Sequence, residues 1–349
     1  QKDFMDGKIK KDDISKSERK AIESAIATNA DIKDASFLGT KVKTLLAYGI
    51  HESAMSTNRY FGESVLEGHC ITPDSVLKEI SSNRRKDYIA EGFTLGKMLG
   101  KKLKTRDEDR SLTTTRLGSG KIDRRLISEL GFSNERVFSQ MLHRTSKPAL
   151  AYISLDASGS MHGSAWDAAM KTAVAIAQAA TMTASLECII TVRGTAGEYP
   201  LMWVIYDSRK EKLSSIRTKL YAVQASGSTP EGLCYDVVLN ELIKIQSSNT
   251  EVFFINICDG MPSFASRTNG RASYFGPEAI AHTRKQVETM KKNGIQVLGY
   301  YIASEESRYF DSGFKAFKSM YGEKDSFNIN VNELSSLSKT LNELFERSE

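Results

Sequence analysis

The stretch that decides the fold is Ala149-Leu150-Ala151-Tyr152-Ile153-Ser154-Leu155-Asp156-Ala157-Ser158-Gly159-Ser160-Met161. Its apolar first half reads as a buried strand, and the Ala-rich run over 165–180 reads as a helix. One carboxylate and two hydroxyls therefore stand on a tight, Gly-containing turn between strand and helix. Open α/β sheets bind their ligands at such turns, outside the carboxyl ends of the strands.

Working outward, strand patterns fall at 150–156, 186–193, 201–206, 251–258, 295–302 and 326–330. Helical patterns fall at 165–182, 231–246, 277–293, 307–320 and 332–347. Strands apolar on both faces and alternating with helices predict an α/β fold, a doubly wound, mostly parallel six-stranded sheet. The link over 194–200 is too short for a helical crossover, so 201–206 is expected to run antiparallel to its neighbour.

Upstream, Ser15-Lys16-Ser17-Glu18 fits a capping box, with Ala21, Ile22, Ala25 and Ile26 following at helical spacing. A second helical pattern lies near 42–50. Thr72-Pro73 opens a third through 80, and Tyr88, Ile89, Phe93, Gly96, Leu99 and Leu103 line a longer basic helix. The expected organisation is a mainly helical N-terminal domain (1–105), a lead-in (106–149) and the α/β domain (150–349). The lead-in carries a hairpin or loop over 106–121, a short helix over 123–130 stopped by Gly131, and an extended segment over 136–142.

Composition bounds the function. The 349 residues are 40% hydrophobic and 26% charged, with no apolar run long enough to span a membrane and no apolar leader at Gln1. Four dispersed cysteines (Cys70, Cys188, Cys234, Cys258) suit reduced thiols, so a soluble, cytoplasmic chain is expected, without membrane partners. Residues 1–149 carry 28 Lys+Arg against 21 Asp+Glu, whereas 150–349 carry 20 against 22. The basic excess is densest at Arg84-Arg85-Lys86 and over 97–110. Without zinc-finger or aromatic RNA-binding motifs, it reads as a solvated helix face and loop, and nucleic acid is not the expected partner.

Two further turns complete a set. Ser226-Gly227-Ser228-Thr229-Pro230-Glu231-Gly232 precedes a helix, and Cys258-Asp259-Gly260-Met261-Pro262 follows an apolar strand. Asp156, Ser158, Ser160, Thr229 and Asp259 then form an all-oxygen donor set, which suits Mg²⁺, Mn²⁺ or Ca²⁺ and not zinc or copper. With at most two carboxylates among the donors, such an ion stays electrophilic and would favour an incoming carboxylate. The competing explanation is that Ser158 and Ser160 merely cap the helix and Asp259 makes a turn. Other chemistry is missing. Gly118-Ser119-Gly120-Lys121-Ile122 lacks the full phosphate-loop pattern, no Gly-x-Ser-x-Gly elbow occurs, and the five histidines have no ligand spacing. His162 would sit at the rim of the metal set, and Trp166 and Met170 share a helical face with Ala173 as core.

Asp156-Ala157-Ser158-Gly159-Ser160, then Thr229, then Asp259-Gly260 resembles the complete metal-ion-dependent adhesion site of von Willebrand factor A domains. The resemblance implies a Rossmann-like domain of that type, whose hydroxyls bind the metal directly and whose aspartates bind it directly or through water. The flanks, residues 120–126, 227–233, 258–263, 282–284 and 307–310, are similar to the cobaltochelatase CobT subunit and its relatives, some of them phage-encoded. That resemblance covers roughly 95–347 and lacks the long acidic linker of bacterial CobT. It implies a non-catalytic subunit that grips an acidic residue of an AAA+ ATPase partner of the CobS or MoxR type, in a chelatase- or chaperone-like complex. The alternative it leaves open is a stand-alone adhesion or scaffold module, in a phage a structural or virion-associated one.

Overall fold

The computed structural model describes residues 30–48, 73–108, 111–143, 148–183, 185–302 and 310–328. The helices expected over 15–26 and 332–347, and Cys70, lie outside them. Strands β1 (Ala30–Phe37) and β2 (Thr40–Tyr48) come first, followed by helices α1 (Pro73–Ser81) and α2 (Tyr88–Glu108). Strands β3 (Ser111–Leu117), β4 (Lys121–Ile122) and β5 (Phe138–His143) form a small separate sheet, with β5 in the middle. The helix expected over 123–130 is a 3₁₀ turn, Ile127–Phe132.

The main sheet takes β6 (Ala149–Asp156), β7 (Leu186–Ala196), β8 (Tyr199–Asp207), β9 (Glu251–Cys258), β12 (Gln296–Tyr301) and β13 (Ser326–Asn328). Helices α3 (Ser164–Ala180), α4 (Ile216–Ala222), α5 (Glu231–Ser247), α6 (Gly276–Lys292) and α7 (Phe310–Tyr321) connect them. The strand order is β1-β2-β8-β7-β6-β9-β12-β13. Strands β7, β6, β9, β12 and β13 run parallel, and β8 is antiparallel to β7, as the short link demands. The fold is a doubly wound, Rossmann-like α/β fold with a mostly parallel sheet.

Among the described residues the main sheet has eight strands, not six. The helix expected near 42–50 is β2, which pairs with β8 and brings β1 into the sheet. The reason lies in its surroundings. Leu45 and Ala47 enter the core on one face, and Val42 and Leu46 enter the core on the other. A strand buried on both sides shows a continuous apolar run, and periodicity alone cannot separate that from a buried helix.

The same alternation builds the sheet's centre. Ala151, Ile153 and Leu155 of β6 face α3, while Leu150 and Tyr152 face the layer of α5, α6 and α7. On the α3 side, α2 lies unusually close. A Cβ on Gly96 would stand 2.5 Å from the Ala175 carbonyl oxygen, so only glycine lets the two backbones approach this far. Arg85 and Glu91 pair with Asp167 and Lys171 of α3, so part of the basic stretch is spent on internal ion pairs. Cys188, Cys234 and Cys258 are buried free thiols. No helix among the described residues is long and apolar enough to cross a membrane.

From β6 the chain crosses to β7 on one side and later returns to β9 on the other. The carboxyl ends of β6 and β9 therefore flank the switch point where open α/β sheets form their crevice.

Candidate metal centre

Strand β6 delivers Asp156 to that crevice with 0% exposure. Its Oδ1 accepts the Ser158 amide at 2.9 Å, which folds the chain back over the strand end. Ser158 Oγ and Ser160 Oγ lie 3.0 Å apart, and Ser160 Oγ donates to Asp259 Oδ1 at 2.9 Å. The turn before α5 is latched to the first by Ser226 N to Ala157 O (2.7 Å) and Gly159 N to Gly227 O (3.0 Å). Thr229, buried in that turn, accepts the Ser263 amide on its carbonyl at 2.8 Å. The third turn is thereby tied to the second.

The capping explanation for the serines fails. The turn at Gly159–Met161 and helix α3 both begin without a side-chain cap, and the two hydroxyls face each other and Asp259. Ser158, Ser160 and Asp259 form a run of hydrogen-bonded oxygens, Asp156 is tied to it through the Ser158 amide, and Thr229 lies in the turn latched beside it. His162 is exposed just past this turn, and Trp166, Met170 and Ala173 are core, as expected.

Beneath the oxygens lies a second cluster that motif reading passed over. Arg193, the β7 residue in register with Asp156, is fully buried. Its Nη1 donates to Ser154 Oγ and Asn256 Oδ1, and its Nη2 donates to Glu231 Oε1 at 3.1 Å. Glu231 Oε1 also accepts Tyr235 OH (3.0 Å), Asn256 Nδ2 (3.0 Å) and Tyr321 OH (2.6 Å). Asp156 Oδ2 is 3.7 Å from Arg193 Nη2 and has no hydrogen-bond partner. The signal available in the sequence was a lone Arg and a lone Asn inside otherwise apolar strands, since charged groups are almost never fully buried unless paired.

Electrostatics follow from counting. Asp156, Glu231 and Asp259 gather around the single guanidinium of Arg193, leaving a surplus of two negative charges. Uncompensated charge in a low-dielectric interior is strongly unfavourable. Burial therefore pushes the Asp156 carboxyl up to about 7, against the pull of Arg193 and with help from Asp259 and Glu231. Burial likewise raises Asp259, opposed by its bond from Ser160.

The residues fit a hard divalent cation. The donors are all oxygen, the surplus equals the ion's charge, and Asp156 Oδ2 is an orphaned acceptor facing no donor within hydrogen-bond reach. Among the described residues, no group of three or more His, Cys, Asp or Glu is arranged to hold a metal, so any such site rests on the hydroxyls.

No family model and no curated protein matches the sequence. Solved structures do resemble the fold. The vWF domain of the type V pili tip protein Mfa5 from Porphyromonas gingivalis aligns at 8% identity and a TM-score of 0.40, over 59% of this chain and 97% of that one. A von Willebrand factor type A protein from Catenulispora acidiphila aligns at 15% identity and 0.35, over 59% of this chain and 43% of that one. The alignment thus spans less than half of the Catenulispora chain. Manganese-loaded Plasmodium vivax TRAP protein aligns at 12% identity and 0.37, over 55% and 72%. At these identities and scores, what is common is the general arrangement of strands and helices; the fold class rests on the strand order itself.

Proposed function

We propose that this chain is an interaction module of the von Willebrand factor A type, holding one divalent cation through Asp156, Ser158, Ser160, Thr229 and Asp259. Mg²⁺ is the ion favoured on chemical grounds, with Mn²⁺ and Ca²⁺ compatible with the same donors. When bound, the cation supplies a Lewis-acidic position for a carboxylate of a partner protein. The chain's own groups do the rest. The serine hydroxyls present neutral oxygens, Asp156 and Asp259 carry the counter-charge, and Arg193 with Glu231 keeps the floor of the site rigid.

The observation that carries this reading is the buried Asp156, whose Oδ2 has no hydrogen bond, held by the Ser158 amide beside the run Ser158 Oγ, Ser160 Oγ and Asp259 Oδ1. The one hydroxyl–carboxylate contact, Ser160 to Asp259, has both of its oxygens among the proposed metal donors, so the reading is binding and not bond breaking. The narrower proposal, from the CobT-like motifs, is that the partner is an AAA+ ATPase and that this chain hydrolyses nothing alone.

Isothermal titration with Mn²⁺, and electron paramagnetic resonance of the free ion, test the centre. One bound ion per chain is expected, lost in Asp156→Ala and weakened about tenfold or more in Ser158→Ala. Equal binding by the wild type and Asp156→Ala would falsify it.

A further inference from the structure

Between Asp259 and α6 the chain makes an excursion over 260–275, and two of its strands pair as a ribbon. Strand β10 (Phe264–Ala265) opposes β11 (Ser273–Tyr274), with Phe264 facing Tyr274 and Ala265 facing Ser273. Burial alternates cleanly along it. Phe264, Ser266, Ala272 and Tyr274 are buried, while Ala265, Arg267, Arg271, Ser273 and Phe275 are exposed. One face is glued to the domain and the other is bare.

The bare face begins at the candidate centre. Ser263 forms an antiparallel bridge with Thr229 through its amide. The ribbon register carried one residue further sets Phe275 opposite Ser263, on the side away from Thr229. At strand spacing, the Phe275 backbone lies about 10 Å from that of Thr229. Phe275 is 49% exposed and so is Met261, two residues after Asp259. Four residues beyond Phe275, about 13 Å along the ribbon, stand Arg271 and, across the turn, Arg267. Both are exposed, and among the described residues no carboxylate pairs with either. No acidic residue occurs over 260–276.

The order is therefore oxygen cluster, apolar pair, small residues, cationic pair. The face is also preorganised. Glu198 accepts the amides of Arg267 (2.8 Å) and Thr268 (3.4 Å) and the Ser266 hydroxyl. Asn269 exchanges hydrogen bonds with both the amide and the carbonyl of Lys43 in β2 (2.8 and 2.7 Å) and donates to Glu198 O (3.1 Å). A rigid face rich in Met, Phe and Arg has the composition of an interaction surface and loses little entropy on binding.

We propose that this face is a docking track for an extended, acidic segment of a partner protein. One carboxylate goes to the metal centre, an apolar side chain next to it covers Met261 and Phe275, and a second acidic group about four residues farther meets Arg267 and Arg271. The proposal rests on the metal-centre reading above and adds the partner's pattern.

The test uses two labelled synthetic peptides, Gly-Ser-Glu-Leu-Ser-Thr-Ser-Glu-Asp-Gly and its reversed order, because either chain direction satisfies the track. A control peptide has the distal Glu-Asp replaced by Gln-Asn. Fluorescence anisotropy is read on the full chain with Mn²⁺ or with a chelator, alongside Mn²⁺ titration of every variant. At least one acidic peptide is expected to bind only with Mn²⁺, and the control to bind at least fivefold more weakly. Arg267→Glu with Arg271→Glu should weaken the acidic peptide about tenfold, Met261→Ser should weaken both peptides, and Mn²⁺ affinity should stay unchanged in each. Undiminished binding by the double charge reversal, or no saturable peptide binding while Mn²⁺ binds normally, overturns the track alone. A flat Mn²⁺ titration of the wild type overturns the centre and the track together. Single-stranded oligonucleotide that binds without metal and through the same two arginines assigns them to phosphates and also overturns the track.

Discussion

Asp156 and Glu231 are both fully buried carboxylates, and they share one guanidinium, yet they differ sharply in how many donors reach them. Glu231 Oε1 collects four donors from Arg193, Tyr235, Asn256 and Tyr321. Asp156 receives one backbone amide, and its second oxygen has only the Arg193 guanidinium at 3.7 Å; each acid thus keeps one oxygen, Oδ2 of Asp156 and Oε2 of Glu231, without a hydrogen bond. One acid is hydrogen-bonded by phenols, an amide and an arginine; the other has a single backbone amide, a more distant arginine and the charge of Asp259 nearby. The difference separates a group that braces the fold from a group that waits for a ligand. Burial alone would not have told them apart.

Arg193, the residue that both acids share, is where a substitution should act most strongly. Arg193→Met leaves both acids without their counter-charge and is expected to destabilise the metal-free protein by about 3–5 kcal/mol in urea unfolding. A loss below 1 kcal/mol would mean that the two acids do not depend on it. Glu231→Gln should cost less, about 1–3 kcal/mol, because the amide keeps part of the bonding. In that variant Arg193 keeps only Asp156 and Asp259 as anions and draws harder on both, so Mn²⁺ affinity should also fall; an unchanged affinity would show that the clusters are uncoupled.

The smallest effect concerns Asp156 itself. Its folded carboxyl, at about 7, lies above the ordinary aspartate value. The folded state therefore holds the proton more tightly, and this group's contribution is complete well below the ordinary value and is lost as pH rises through about 7. With chelator present, raising pH from 6 to 8 should lower stability by about 1.4 kcal/mol from this source. Asp156→Asn should flatten that slope without destabilising the metal-free protein. A steep slope in the Asn variant would assign the dependence elsewhere.

Much of the parallel sheet is legible in the sequence because β6 and β9 are short apolar runs bounded by turns, with helical patterns between them. The oxygen set is legible because its residues sit at strand and helix ends, where chain order alone predicts convergence. What escapes reading is what depends on partners far along the chain. Strand β2 is hidden because both of its faces are buried, one of them against elements about 200 residues later, such as α5 and β10. Arg193 looks like a charge leaving a strand for solvent until Glu231, 38 residues on, closes over it.

Asn269 holds the 260–275 excursion to β2 through both the amide and the carbonyl of Lys43, and to the β7–β8 turn through Glu198 O. A single carboxamide thus stands in for a missing length of strand. Tension applied along the excursion would pass through that side chain into the first hairpin and the far edge of the sheet, spread over several main-chain bonds in shear. Residues 30–48 then serve as a mechanical anchor, so the surface nearest the candidate centre and a segment 226 residues away in sequence would resist a pull as one piece.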